Sequence, residues 1–421
     1  MQHAPAGPLG HVVEQLWAPA LATGSARVQI GERHQDAGWR DVERYLVLPS
    51  LDRATMLLPR QPRQATAGAL MNYRGLRRLL PNAQRTLLGT LAGAGAPLPF
   101  PRLSVQVRRD APAAVAPELP LAMLARQLAL PEVFASIGVR TGANRKATLQ
   151  LVDAEGAPRG FAKMAWGPAS DQGVRLEAAA LGDPVTSGPA RTPRLLAQGS
   201  YYEHPYIVTA PLPLGCRGVR ADIPAPTPQE LFALCPIVRT DRCAGTGQLQ
   251  DLRARVAAAP RDTDSGPVLD AAADLVAVVE EAEAEVPVTS RWHGDLTPWN
   301  SARDEDGILW CWDWESSEAD AVAGMDALHW HVTVATEGGR PLGATTLTDA
   351  HQRAQSHLVA AGIPRSAHGL VTALYAATLA ERACTWAVGG GGWERGWVLP
   401  HQLVDLLAAA RTLVAGPVGT R

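Results

Sequence analysis

The sequence predicts an α+β protein. It has a β-rich lobe built on an antiparallel sheet (residues 119–212), a larger helical lobe (213–421), and an additional α+β extension ahead of both (1–118). Three observations predict it. At 421 residues the chain exceeds what one hydrophobic core usually organises. Apolar runs between residues 133 and 212 follow the order strand, strand, strand, helix, strand, strand, which is an antiparallel sheet carrying one helix. Beyond Pro211-Leu-Pro-Leu-Gly215 the apolar spacing changes to threes and fours.

Taken in order, residues 11–21 form an apolar run with helical character after a Pro/Ala/Gly-rich lead. Two β-type runs, 44–49 and 54–59, flank Ser50-Leu-Asp52 and read as a hairpin. Residues 65–80 and 83–92 have helical spacing, and a short strand follows at 103–107. Residues 119–130 are a helix. The strands of the sheet are 133–139, 146–152, 160–166, 194–199 and 206–212, with a helix at 174–181. Helices are then expected at 228–234, 247–257, 268–286, 325–337, 349–361, 369–388 and 401–414, interrupted by loop and strand material at 291–315. The extension carries no chemical motif of its own.

Composition narrows the function. The chain is 46% hydrophobic and 19% charged, so it can bury a large core and is not disordered. A net charge of −2 argues against a general nucleic-acid binder, which shows a basic excess. Five cysteines, an odd number with no C-x-x-C pair, argue against a disulfide framework or zinc ribbon and fit a reducing compartment. The first residues lack the basic and apolar regions of a secretory signal, and no window reaches the ~18 apolar residues of a membrane span. A cytoplasmic protein without membrane partners is expected. Only Lys146 and Lys163 of the 39 basic residues are lysine. A chain so biased toward arginine retains lysine where a compact ammonium does what a guanidinium fork cannot.

The strongest local signal is H-G-D-L-T-P-W-N over residues 293–300, followed by I-L-W-C-W-D-W-E over 308–315. An acid and an amide lie five residues apart on a loop held by Pro298, and a second acid ends an apolar strand. Oxygen ligands of this kind suit Mg²⁺, which takes one or two carboxylates plus substrate phosphates. Asp295 can accept a proton from a substrate hydroxyl while Asn300 and Asp313 hold the metal. Phosphoryl transfer needs this division of labour, because the protein mostly positions groups and neutralises charge.

H-G-D-x-x-x-x-N followed by an apolar strand ending in Asp resembles the signature of the aminoglycoside phosphotransferase and choline kinase-like family, over roughly residues 130–390. The resemblance implies a two-lobed protein-kinase-like fold that uses ATP and Mg²⁺. It implies that Lys163, mid-strand, pairs with Glu177 on the next helix to hold the nucleotide phosphates. The segment from Gly138 to Lys146, with Gly142, Asn144 and Arg145, is then the phosphate-covering loop. Thr209 to Leu212 is the matching adenine hinge. His293 braces the metal-binding segment, Glu315 approaches a second cation or caps the turn, and Asp326 caps or braces at the start of a helix. His329 and His331, two apart, do not share a helical face as zinc ligands do, and read as packing residues. Cys311 and Cys384 read as inert core thiols. The tryptophans read as core, with Trp299 and Trp314 near enough to the site to touch a substrate.

The expected activity is ATP-dependent phosphorylation of a hydroxyl on a small molecule: a sugar, aminocyclitol, amino alcohol or antibiotic. A kinase-like enzyme acting on peptide Ser/Thr, with the extension as a docking module whose hairpin edge pairs with an extended chain, is an alternative. A non-catalytic kinase-fold scaffold is another. The acceptor itself is not legible in the residues.

Overall fold

The computed structural model describes residues 7–31, 36–72, 79–110, 118–139, 146–218, 225–262, 264–390, 392–393 and 398–415. The chain divides into two compact units, one of residues 1–182 and 193–216, the other of 183–192 and 217–421.

The first unit comprises α1 (Pro8–Ala22), β1 (Ala26–Ile30), β2 (Trp39–Leu48), β3 (Met56–Pro59), α2 (Arg63–Met71), α3 (Leu79–Gly93), β4 (Arg102–Arg108) and α4 (Pro120–Gln127), then β5 (Phe134–Gly138), β6 (Ala147–Val152), β7 (Pro158–Met164) and α5 (Pro168–Leu181). The short β8 (Ala190–Arg191) belongs to the second unit, and β9 (Leu195–Tyr201) and β10 (His204–Thr209) complete the first. The nine strands form one antiparallel sheet in the order β1-β4-β2-β3-β5-β6-β7-β10-β9. The pairing of Leu57 with Ile137 joins β3 to β5. The expected extension and the expected β-rich lobe therefore share one sheet.

Alternation along the strands divides that sheet into two apolar faces. Tyr45 and Val47 meet α1 and α4 through Leu16, Trp17 and Leu124. Leu46, Leu48 and Leu58 meet α2 through Ala65 and Ala69. Each fully buried large side chain contributes about 1.5–3 kcal/mol. Close approach of α2 to the β6–β7 turn requires glycine, since a Cβ at Gly68 would lie 2.1 Å from the Gly156 carbonyl oxygen.

The second unit contains β11 (Arg217–Gly218), α6 (Pro228–Leu234), β12 (Ile237–Arg242), α7 (Gly247–Ala258), α8 (Ser265–Glu281), β13 (Glu285–Trp292), β14 (Ser301–Arg303), β15 (Leu309–Cys311) and β16 (Glu318–Val322). Then come α9 (Met325–Glu337), α10 (Ala344–Arg353), α11 (Gln355–Ala360), α12 (His368–Gly390) and α13 (Pro400–Ala415). Two small sheets, β11-β14-β15-β8 and β12-β13-β16, sit among these helices. The predicted class, α+β with an antiparallel sheet followed by a mostly helical region, is what the chain adopts.

Three expectations need correction. The helix expected over 268–286 stops at Glu281, and Glu285–Trp292 is strand β13. The single helix expected over 349–361 is two, α10 and α11, meeting at Ala354. Strands β1 and β12 were not anticipated, because both are short and mix polar with apolar residues. None of the five cysteines is joined in a disulfide, and all are buried. Burial pushes the Cys243 thiol up to about 12 and the Cys384 thiol up to about 11, which leaves both unreactive. Among the described residues no helix is long and apolar enough to cross a membrane.

Candidate active site

In the first unit Lys163 lies on β7, opposite Thr148 of β6 and Ile207 of β10. Its neighbours Ala162 and Met164 enter the core, so the pleat turns Lys163 to the opposite face. There its ammonium forms an ion pair with Glu177 of α5. Glu177 is 1% exposed. A buried carboxylate is tolerable only when paired, and this pair fixes the lysine against the sheet. Helix α5 starts where Gly167 and Pro168 break the strand, with Ser170 Oγ accepting the Gly167 N–H at 3.1 Å. Gly138 closes β5, and Lys146, buried, stands before β6. Gly142, Asn144 and Arg145 lie outside the described residues. Thr209 ends β10 and Leu212 follows it, half-buried.

In the second unit, strand β13 delivers His293 to Asn300, and β15 delivers Asp313. Gly294 has a φ of 78°, and a Cβ there would lie 2.1 Å from the Ser316 carbonyl oxygen. Only glycine lets these two loops touch. Asp313 takes the left-handed conformation (φ 70°, ψ 58°), which aspartate tolerates better than most residues. It leads into a turn, Trp314–Ser316, whose second residue is the half-buried Glu315.

Several bonds fasten the loops. The Trp312 N–H donates to the Asn300 carbonyl at 3.1 Å. His293 Nδ1 accepts the Asp295 N–H at 3.3 Å, and Nε2 lies 3.1 Å from the Trp312 carbonyl. Burial lowers the His293 pKa against the nearby charges of Asp326, Asp295 and Asp313. The ring is thus neutral, with its proton on Nε2 donated to Trp312, and serves as a brace between loops. Asp326, at the start of α9, accepts the His293 N–H at 2.9 Å and the Gly294 N–H at 3.1 Å.

Asp295 is held at both oxygens. Asn300 Nδ2 donates to Oδ2 at 2.8 Å and to the Asp295 backbone carbonyl at 3.0 Å. His329 Nε2 lies 3.2 Å from Oδ1, while its Nδ1 lies 3.2 Å from the Tyr375 hydroxyl. Burial raises the Tyr375 phenol far above its usual range, so it stays protonated and can donate to that nitrogen. Because the amide nitrogen of Asn300 is committed to Asp295, its amide oxygen is the atom that can ligate a cation. That oxygen and the Asp313 carboxylate are each the kind of oxygen donor a hard cation takes. Among the described residues no group of three or more His, Cys, Asp or Glu could hold a metal on its own.

Three contributors escaped the sequence reading. His329 is not mere packing, since it touches Asp295. Its spacing of three from Asp326 on α9 puts both on one helix face, a signal present in the sequence. Tyr375 and Arg382, both on α12, have no such signal. Arg382 Nη1 donates to the Gly294 carbonyl and Nη2 to the Ser316 carbonyl, both at 2.8 Å, clamping the point where the loops touch. Glu318 supports the clamp, with Arg382 at 3.2 Å and Arg255 at 2.9 Å. Burial works against the charge on Glu318, but these two guanidinium groups hold its carboxyl below the usual range. Trp314 is buried against His293, with ring centroids 4.3 Å apart, and is core; Trp299 is 40% exposed.

No protein-family model matches the chain, and no curated protein matches it by sequence. Among solved structures it is similar to the choline kinase LicA from Streptococcus pneumoniae, with 13% identity and a TM-score of 0.42, over 70% of this chain and 98% of that one. The complex of LicA with AMP gives the same identity and score over 70% and 96%. A likeness of this size assigns neither family nor substrate.

Proposed function

We propose that the chain is an ATP- and Mg²⁺-dependent O-phosphotransferase acting on a hydroxyl of a small molecule such as a sugar, aminocyclitol, amino alcohol or antibiotic. Asp295 orients the acceptor hydroxyl and takes its proton. Asn300 and His329 keep the carboxylate in one orientation, so that one rotamer meets the substrate. Asn300 Oδ1 and Asp313 hold the cation, which when bound neutralises the phosphate charge that grows during transfer. In the first unit Lys163, oriented by Glu177, supplies the ammonium for the nucleotide phosphates. Gly138 and Lys146 flank the phosphate-covering loop, and Thr209 and Leu212 border the adenine. His293, Asp326 and Arg382 hold the loops.

The observation that most supports this reading is the Asp295 carboxylate, gripped at both oxygens on a loop fastened to the one that carries Asp313. The test is a screen for ADP release over sugars, amino alcohols and antibiotics, followed by Asp295→Asn. Turnover of the acceptor found should drop by a factor of about 10² or more while Mg·ATP affinity changes little. Undiminished turnover in Asp295→Asn removes Asp295 from its role.

A further inference from the structure

Strand β2 carries Leu46 on the sheet face covered by α2, and Arg102, the first residue of β4, lies opposite it in the register. The next residue, Leu103, enters the core on the other face, so the pleat keeps Arg102 on the α2 side. Arg60 follows β3 and is tied to β2 by its N–H, which donates to the Arg44 carbonyl at 2.8 Å. Helix α2 begins with Arg63. Its first turn is fastened to the end of β3 by Thr66 Oγ1, which donates to the Pro59 carbonyl at 2.6 Å. A cavity of about 660 Å³ is lined by all three arginines, Arg60, Arg63 and Arg102.

The charge around this cavity is of one sign. Among the described residues no Asp or Glu lines it. Arg27, Arg44 and Arg108 on the neighbouring strands β1, β2 and β4 are each paired with an acid. Arg63 and Arg102 hold no ion pair among the described residues. Arg63 reaches over the turn that follows α3, where a Cβ on Gly95 would lie 3.3 Å from its Nη1. Gln61 commits its amide oxygen to Arg44 Nη1 at 2.5 Å, so what it has left to offer is its amide N–H groups. The first turn of α2 contains no acid, which leaves the positive end of the helix without a local counter-charge. Guanidinium groups brought to one cavity repel, and a multiply charged anion offsets that repulsion. Their planar forks match phosphate oxygens two at a time. Much of the remaining wall is apolar, with Leu46, Pro62, Pro97 and Leu98. The volume falls among small-molecule sites, about 300–1,000 Å³.

We propose that this cavity binds a soluble phosphomonoester: Arg63 and Arg102 grip the phosphate dianion, Arg60 adds charge, and Leu46, Pro97 and Leu98 receive the organic body. A phosphomonoester carries a charge of about −1.5 to −2 at neutral pH, which answers the arginines, while its body answers the apolar wall. The proposal stands whether or not the second unit transfers phosphate.

The probe is phenyl phosphate, titrated into the full chain by calorimetry at fixed ionic strength. It should bind at least about tenfold tighter than phenyl sulfate, a monoanion of the same shape, and than inorganic phosphate, which lacks the body. Arg63→Gln and Arg102→Gln should each weaken it at least about tenfold, with circular dichroism checking the fold. Arg53→Gln, which removes an equal charge from a side chain 84% exposed, should leave it unchanged. Lys163→Ala should bind phenyl phosphate as tightly as the wild type, which separates this cavity from the nucleotide site. Bound phenyl phosphate should slow hydrogen exchange at residues 64–66 and 95–98, a readout independent of every variant. Titration that never saturates overturns the proposal. So does binding lost in Lys163→Ala and indifferent to Arg63→Gln and Arg102→Gln, which assigns the phosphate to the nucleotide site. Equal affinity for inorganic phosphate overturns it as well, leaving an ion site only. Sedimentation with phosphatidic acid vesicles that phenyl phosphate fails to prevent also overturns it, assigning the arginines to a lipid surface.

Discussion

Substituting Glu43 by glutamine should change how stability depends on pH. Burial pushes the Glu43 carboxyl up from 4.5 to about 7, against the pull of bonds from Tyr45, Trp17 and the Leu121 backbone. Between those two values the folded chain holds a proton that the unfolded chain has released. Stability therefore falls as pH rises across that window. The contribution is complete below pH 4.5 and gone above about 7. At about 1.4 kcal/mol per pH unit the whole change is about 3 kcal/mol. Glutamine does not titrate and leaves the other carboxylates as they were, so the difference between the two proteins isolates Glu43. Urea unfolding of both, followed by far-ultraviolet circular dichroism from pH 4 to 8.5, gives that difference curve. Wild type should lose about 3 kcal/mol relative to Glu43→Gln between pH 4.5 and 7. Parallel curves, or a wild type that gains stability across the window, would refute the reasoning.

The site supports three further predictions. Gly294→Ala forces a side chain into a left-handed residue 2.1 Å from the Ser316 oxygen, so the two loops must part. Turnover should fall at least about tenfold, with strain of about 1–2 kcal/mol seen as a lowered melting temperature; unchanged kinetics would contradict the contact. Arg382→Met removes both carbonyl bonds and leaves Glu318 with Arg255 and the Trp292 indole N–H. A loss of about 3 kcal/mol in urea unfolding is expected from two lost charge-assisted hydrogen bonds, and a loss below about 1 kcal/mol would show the clamp to be slack. His329→Ala should lower kcat by about tenfold or more with Mg·ATP affinity unchanged. His329→Gln, which retains an N–H for Asp295, should recover much of it; equal loss in both variants would make the contact incidental.

Much of this was legible in the residues because local signals and tertiary demands agree. The strands from 133 to 209 are readable as short apolar runs set between turns, and Lys163 is conspicuous as an ammonium in an apolar strand. The loop from His293 to Asn300 and the acid at Asp313 announce themselves by spacing. What the sequence concealed depends on distant elements. Arg382 reaches the Gly294 and Ser316 carbonyls from 88 and 66 residues away. Tyr375 meets His329 across 46 residues, and backbone acceptors leave no trace in a side-chain pattern. Nothing in the sequence marks Glu43, which lies just ahead of the apolar run 44–49, and only the packing of Trp17 and Tyr45 around it makes it exceptional. The continuation of one sheet from β1 through β9 was hidden because it rests on the β3–β5 register, a pairing between segments 80 residues apart.

Calorimetric titration of Mg·ATP into the wild type, Lys163→Ala and Asp313→Asn tests the phosphotransferase reading most directly. Saturable, Mg²⁺-dependent binding to the wild type is predicted, weakened at least tenfold by Lys163→Ala. Asp313→Asn should leave a residual affinity that no longer responds to Mg²⁺. Heat that never saturates with the wild type, or affinity indifferent to both substitutions, would contradict the account.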